Sequence, residues 1–76
     1  MKIEILGSGC PKCQKLDAMV KDVVAKHGIK AEVTHVYDID KIVEYGVMMT
    51  PALVVNGKVK LAGRLPSESE LLNLFK

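Results

Sequence analysis

The chain has no tryptophan, one phenylalanine and two tyrosines, so its 76 residues must build a core from aliphatic side chains and methionine. Apolar residues make up 49% of it, enough for one small core close to the size at which a single core becomes marginal. No apolar run approaches the roughly 20 residues of a membrane span. Met1-Lys2 leads straight into a strand pattern with an acid at position 4, so neither a membrane segment nor a signal peptide is expected. A dominant charge is missing too: 11 basic and 9 acidic residues are interspersed, for a net +2. Without a basic run or aromatic–basic interleaving, nucleic-acid binding has little support. Cysteine is scarce, with Cys10 and Cys13 the only two. In the reducing cytoplasm expected for such a chain, a lone Cys-X-X-Cys is more often catalytic or metal-binding than structural.

What is present is arranged around that pair. Lys2 to Leu6 reads as a strand, apolar at 3, 5 and 6 and interrupted by Glu4. After the loop Gly7-Ser8-Gly9, a helix is expected from about Pro11 to His27. Its buried stripe runs Cys13, Leu16, Val20, Val23, His27, widened by Met19 and Val24. Pro11 falls at the first helical position, where its missing N–H costs nothing, which makes Cys10 the N-cap. The Cys10 sulfur then lies near free backbone N–H groups and the positive end of the helix dipole, where the reactive thiolate is stabilised. Cys13, one turn on, points back toward Cys10 but lies deeper. Asp17–Lys21 and Asp22–Lys26 are acid-first pairs for the exposed face, and Gly28 ends the helix.

A second strand is expected over Ala31 to Tyr37. Asp38 or Asp40 caps a short helix that buries Ile39, Ile42 and Val43 and closes at Gly46. Ala52–Val55 and Lys58–Ala62 form a hairpin about Asn56-Gly57. Gly63 to Pro66 is a loop, and Ser67-Glu68-Ser69-Glu70 reads as a capping box for a last helix with Leu71, Leu74 and Phe75 inward. The order βαβ-αββα predicts an α/β fold, a parallel crossover followed by a hairpin. The result is a four-stranded mixed sheet flanked by three helices, as one domain over residues 1–76.

Three readings of the cysteines compete. As a structural staple they close only a short loop, which the chain-entropy model credits with about 2 kcal/mol. As a zinc site they need His27 and His35, but a continuous helix puts His27 about 21 Å from Cys13. His27 then reads as a helix C-terminal residue suited to the dipole, and His35 as an ordinary strand residue. A soft-metal chaperone is the stronger metal alternative, since two thiolates suit Cu(I), with Met48 and Met49 as thioether ligands or as packing residues. Such domains run βαββαβ, end on a strand and carry a methionine where Ser8 stands. As a redox pair, the two thiols already suffice: one activated, one held back, both in bonding reach.

With those elements placed, the chain resembles the minimal thioredoxin fold, and most of all the small glutaredoxin-sized, thioredoxin-like redox-active disulfide proteins. The likeness covers the whole length. It rests on Gly9-Cys10-Pro11-Lys12-Cys13 after the first strand and on Tyr45-Gly46-Val47-Met48-Met49-Thr50-Pro51-Ala52-Leu53-Val54-Val55-Asn56-Gly57. The second segment is similar to the family's helix end, loop, cis-proline, strand and Asn-Gly turn. The resemblance implies a protein thiol–disulfide oxidoreductase in which Cys10 attacks and Cys13 resolves. It also implies that Pro51 is cis and lies against the pair, holding the Thr50 backbone outward as an edge for a substrate chain. The plainer alternative is a trans proline at a strand start. Pro11 and Lys12 would meet the substrate, and Lys12 either lowers the Cys10 thiol further by its charge or simply sits exposed on the first turn. Glu4 falls six residues before Cys10, as does the buried acid that assists proton transfer in thioredoxins; the alternative is a solvent-facing strand carboxylate.

Departures from the family set the partner expectations. Gly9 replaces the usual thioredoxin tryptophan, and Lys12 stands where glutaredoxins carry an aromatic residue. Ala62-Gly63-Arg64-Leu65-Pro66 keeps one glycine of the glutaredoxin Gly-Gly turn, which weighs against glutathione. Disulfide-containing proteins are the expected targets and a flavoprotein thioredoxin reductase-type enzyme the expected donor. The chain is expected to act as a cytoplasmic monomer with no cofactor or metal.

Overall fold

The structure, a computed structural model, describes residues 1–7 and 9–75. In chain order the elements are β1 (Lys2–Leu6), α1 (Pro11–Lys26), β2 (Glu32–Val36), α2 (Ile39–Glu44), β3 (Ala52–Val55), β4 (Lys58–Ala62) and α3 (Glu68–Leu74). The strands form one sheet in the order β2-β1-β3-β4. β1 runs parallel to β2, with Ile5 opposite His35, and antiparallel to β3. This is the expected four-stranded mixed sheet of a minimal thioredoxin fold.

Alternation along β1 divides the core between the two sheet faces. Ile3 and Ile5 are fully buried with Leu16, Val20 and Val23 of α1 and with Leu71 and Phe75 at the C-terminal end. Leu6 points the other way and packs with Ala52 and Val54 of β3 and with Ile42 and Val47. Helices α1 and α3 therefore cover one face and α2 the other. β3 is buried at every position, which matches its unbroken Ala-Leu-Val-Val run. Each fully buried leucine or isoleucine contributes on the order of 1.5–3 kcal/mol by leaving water. The Gly7 N–H bonds the Val36 carbonyl at 3.0 Å, so parallel pairing continues one residue past Leu6 before the chain leaves the sheet.

Several local expectations change. Helix α1 stops at Lys26, and His27, expected on the buried stripe, is an exposed C-cap whose N–H bonds the Val23 carbonyl. Gly28 then turns the chain with φ +61°. Strand β2 ends at Val36 and leaves Tyr37 exposed. In α2 only Ile42 is buried, whereas Ile39 and Val43 stay 64% and 60% exposed. A six-residue helix lays too few rows of side chains on the sheet to cover all three. Asp38 supplies its cap, accepting from the Asp40 N–H at 3.0 Å.

Lys26 bonds Glu68 of α3 at 3.2 Å, not Asp22, while Asp17–Lys21 forms as expected at 3.3 Å. The capping box of α3 is half made. Ser67 Oγ accepts from the Glu70 N–H at 3.2 Å, but the Glu70 carboxylate turns away to grip the Arg64 guanidinium. Asn56 and Gly57 take φ of 52° and 81°, as a two-residue hairpin turn requires. A bulge between Leu53 and Val54, not expected from the sequence, sets Leu61 against Leu53 and Val59 against Val54.

Candidate active site

Gly9 and Cys10 lead the chain into α1, and the start of the helix holds them. Gln14 binds them twice, its N–H on the Cys10 carbonyl at 3.0 Å and its side-chain amide on the Gly9 carbonyl at 3.1 Å. Gly9 has φ +92°, a conformation that glycine enters without steric cost. Cys10 is the N-cap and Pro11 the first helical residue, as expected. The Cys10 sulfur accepts a hydrogen bond from the Cys13 N–H at 3.2 Å. Cys13 is fully buried and Cys10 is half-buried. The two are joined as a disulfide with Cα atoms 5.1 Å apart. The Cys10 sulfur thus sits at the helix N-terminus with one backbone N–H already on it.

Gly7 is the floor of the site. A Cβ placed there would collide with the Cys13 sulfur and lie 2.9 Å from the Cys13 Cβ and 3.9 Å from the Thr50 Cβ. One glycine thus brings the Thr50 segment and Cys13 to a common point. The Thr50–Pro51 peptide is cis, as the resemblance implied. Pro51 is buried and its carbonyl accepts from the Gly63 N–H at 2.8 Å, while Thr50 is exposed. Pro11 and Lys12 are exposed on the first turn of α1. Beside Thr50 opens an apolar groove lined by Ile39, Ile42, Val43, Val47 and Met48, while Met49, 64% exposed, lies against Gly63.

Glu4 is half-buried, with its carboxylate accepting from the Tyr45 hydroxyl at 2.9 Å. That hydrogen bond, followed by burial and the carboxylate's charge, pushes ionisation of Tyr45 upward. By strand alternation Glu4 faces the α2 side, beside a cleft lined by Lys2, Lys41, Glu44 and Tyr45. It stands three residues, roughly 10 Å of strand, from Gly7.

A family model described as Thioredoxin domain matches residues 1–76. A thioredoxin of Methanothermobacter thermautotrophicus is 39% identical over 75 residues, spanning 99% of this chain and 97% of its own. The chain belongs to the thioredoxin family. A thioredoxin of Methanocaldococcus jannaschii is 38% identical over 74 residues, covering 97% of this chain and 85% of its own. Family membership and a bonded Cys10–Cys13 pair together make this, in general terms, a thiol–disulfide oxidoreductase. Among the described residues the element order is βαβαββα, not the βαββαβ of the soft-metal chaperones. His27 caps the end of α1 remote from Cys13, so the four-ligand zinc arrangement does not assemble.

Two side chains beside the expected set belong to the surroundings of the site. Tyr45 fixes Glu4 from 41 positions away, a separation no local spacing reveals. His35 is no ordinary strand residue: its ring stacks on Tyr37 at 4.1 Å and its Nε2 lies 3.2 Å from the Gly7 carbonyl. The one sequence signal was parity, since positions 33, 35 and 37 share the α1 face.

Proposed function

We propose that this chain reduces disulfides in other proteins through Cys10-Pro11-Lys12-Cys13, with Cys10 as the attacking thiolate and Cys13 as the resolving thiol. The observation that carries the reading is the asymmetry of the pair. Cys10 reaches solvent at a helix N-cap, and Cys13 is fully buried behind it. In the reduced protein, the Cys10 thiolate attacks one sulfur of the target disulfide and forms a mixed disulfide, and the displaced target sulfur takes a proton from solvent. Cys13 then gives up its proton and attacks the Cys10 sulfur. The Cys10–Cys13 bond forms and the second target sulfur leaves. The target gains two electrons and two protons, and the dithiol loses them.

A protein target suits the surroundings better than a small disulfide. Thr50 offers backbone as a strand edge beside Pro51, Pro11 and Lys12 are exposed on the first turn of α1, and Ile39, Val43 and Met48 supply exposed apolar area in the groove beside Thr50. Glu4 is the carboxylate that receives the proton Cys13 releases, relayed by water across the gap along β1; its half-buried setting and its bond to Tyr45 support this role.

The donor is a flavoprotein thioredoxin reductase-type enzyme or another dithiol protein, not glutathione. A charged tripeptide needs free cationic and N–H groups before α3. There Arg64 is engaged by Glu70 and Pro66 has no N–H. Residues 1–76 act as one domain, monomeric and cytoplasmic, where a reducing setting keeps the dithiol supplied with electrons.

The test is reduction of a model protein disulfide with dithiothreitol as electron source. The unmodified chain should accelerate it well beyond buffer, and Cys10→Ser should not. A rate equal to buffer with the unmodified chain would end this reading.

A further inference from the structure

We propose that Tyr37 is a specificity-determining residue of the dithiol site: its ring is the surface on which an aromatic side chain flanking the target cysteine packs while the target is held at Cys10. The inference rests on the redox reading above and names the kind of target that site takes. The chain carries one phenylalanine, two tyrosines and no tryptophan. Phe75 is buried in the core, and Tyr45 is half-buried with its hydroxyl on Glu4. Tyr37, 59% exposed, is the aromatic left for a partner.

The sheet brings that ring to the cysteines. β1 and β2 are parallel and end opposite each other at Leu6 and Val36, so Tyr37 leaves the sheet where β1 runs into Gly7. β3 is antiparallel to β1 and starts at this same end, with Ala52 opposite Leu6. In the order β2-β1-β3-β4, the two neighbours of β1 thus flank the chain that leads to Cys10. Thr50 and Pro51 stand on the β3 side, and Tyr37 stands on the β2 side. Tyr37 Cε1 lies 3.9 Å from where a Gly9 Cβ would stand, an ordinary van der Waals separation. Gly9 immediately precedes Cys10, and it has no side chain to come between the ring and a chain bound there.

The ring is braced. It stacks on His35 at 4.1 Å, within 8° of parallel. The His35 side chain is only 9% exposed, and its Nε2 lies 3.2 Å from the Gly7 carbonyl oxygen. An exposed aromatic held this way has little freedom left to lose when a partner covers it, so its area is gained for binding at low entropic cost. Braced tyrosines of this kind are the usual anchors of interfaces. An aromatic ring on the target adds the offset or edge-on contact that an aliphatic side chain lacks. The groove at Ile39, Val43 and Met48 lies beside Thr50 and does not include Tyr37, so the two contacts are separable.

The test uses disulfides of short peptides with phenylalanine, leucine or serine on both sides of the cysteine, each reduced by the pre-reduced full chain in a single turnover. The rate constant for the phenylalanine peptide should exceed the other two by about threefold to tenfold, as an aromatic pair implies. Tyr37→Phe should keep that margin, and Tyr37→Ser should bring the phenylalanine peptide down to the others. No margin in the parent, an equal margin for leucine, or a margin that survives Tyr37→Ser would overturn the proposal. Tyr37 lies outside the core, so Tyr37→Ser should keep the native circular dichroism; if it does not fold, a second arm decides. In the Cys13→Ser chain, Cys10 is joined to the phenylalanine peptide by exchange with its thiopyridyl-activated form, and nuclear Overhauser contacts are sought between the peptide ring and the Tyr37 ring. That arm does not depend on turnover. Ring contacts beside a failed disulfide-reduction assay would sink the redox reading alone, and normal turnover without them would sink this inference alone.

Discussion

Gly7 lies so close to Cys13 that a methyl group on its Cα would collide with the Cys13 sulfur and sit 2.9 Å from the Cys13 Cβ. The backbone of Gly7 is not in the left-handed region, so glycine is required there for space and not for conformation. Gly7→Ala should cost about 1–3 kcal/mol by overpacking. Denaturant unfolding of the oxidised protein checks this. Disulfide-exchange rates should fall as well, because Cys13 is the group that must move. An unchanged midpoint would mean the site is looser than its geometry.

The hydrogen bond from Tyr45 to Glu4 gives a second prediction. Tyr45→Phe should lower stability at neutral pH by about 0.5–1.5 kcal/mol, the net worth of such a bond. Since the fold pushes Tyr45 ionisation upward, chiefly through that bond, the protonated phenol is the form it favours. The contribution is therefore complete below the ordinary tyrosine value near ~10 and is lost as pH rises through the higher folded value. Unfolding curves of the two proteins should differ at neutral pH and converge in strong alkali.

Ile39 and Val43 are 64% and 60% exposed beside Thr50. If this surface receives protein targets, Val43→Asp should raise KM for a protein disulfide by about threefold to tenfold, the effect of losing up to 1.4 kcal/mol of binding. The rate with a small aromatic disulfide should stay as it was. Equal losses with both substrates would point to damage at the cysteines and away from a docking role.

Much of the site could be read from the sequence because it is local. Cys10 as N-cap, Pro11 at the first helical position and the hairpin at Asn56-Gly57 each depend on a few consecutive residues and one backbone preference. The cis peptide before Pro51 came from the resemblance, since no local rule separates it from a trans proline at a strand start. What stayed hidden depends on tertiary pairing. Periodicity places Ile39, Ile42 and Val43 on one side of α2, but not how much of that side a short helix buries. His35 meets Gly7 across 28 positions, and Arg64 takes the Glu70 carboxylate that the capping pattern assigns to Ser67. In each case the outcome depends on packing or pairing that the local pattern does not contain.

Arg64 and Glu70 also bear on the electron donor. Their ion pair holds Glu70 ionisation below the usual carboxylate range, first through the hydrogen bond, and keeps the arginine occupied at neutral pH. Reduction of a model disulfide should therefore run with a thioredoxin reductase and its pyridine nucleotide, and stay at least about tenfold slower with glutathione and its reductase, a gap of about 1.4 kcal/mol in the barrier. Equal turnover with glutathione would reverse the assignment of donor.

The division of labour between the two cysteines is tested most directly by trapping. The Cys13→Ser and Cys10→Ser variants are each incubated with an oxidised protein substrate, and the products are weighed by mass spectrometry. Cys13→Ser should accumulate a covalent adduct one substrate heavier that dithiothreitol releases, because Cys10 still attacks and nothing resolves the mixed disulfide. Cys10→Ser should remain at its own mass, since its remaining thiol is fully buried. Adducts of equal yield from both variants, or from Cys10→Ser alone, would contradict the account.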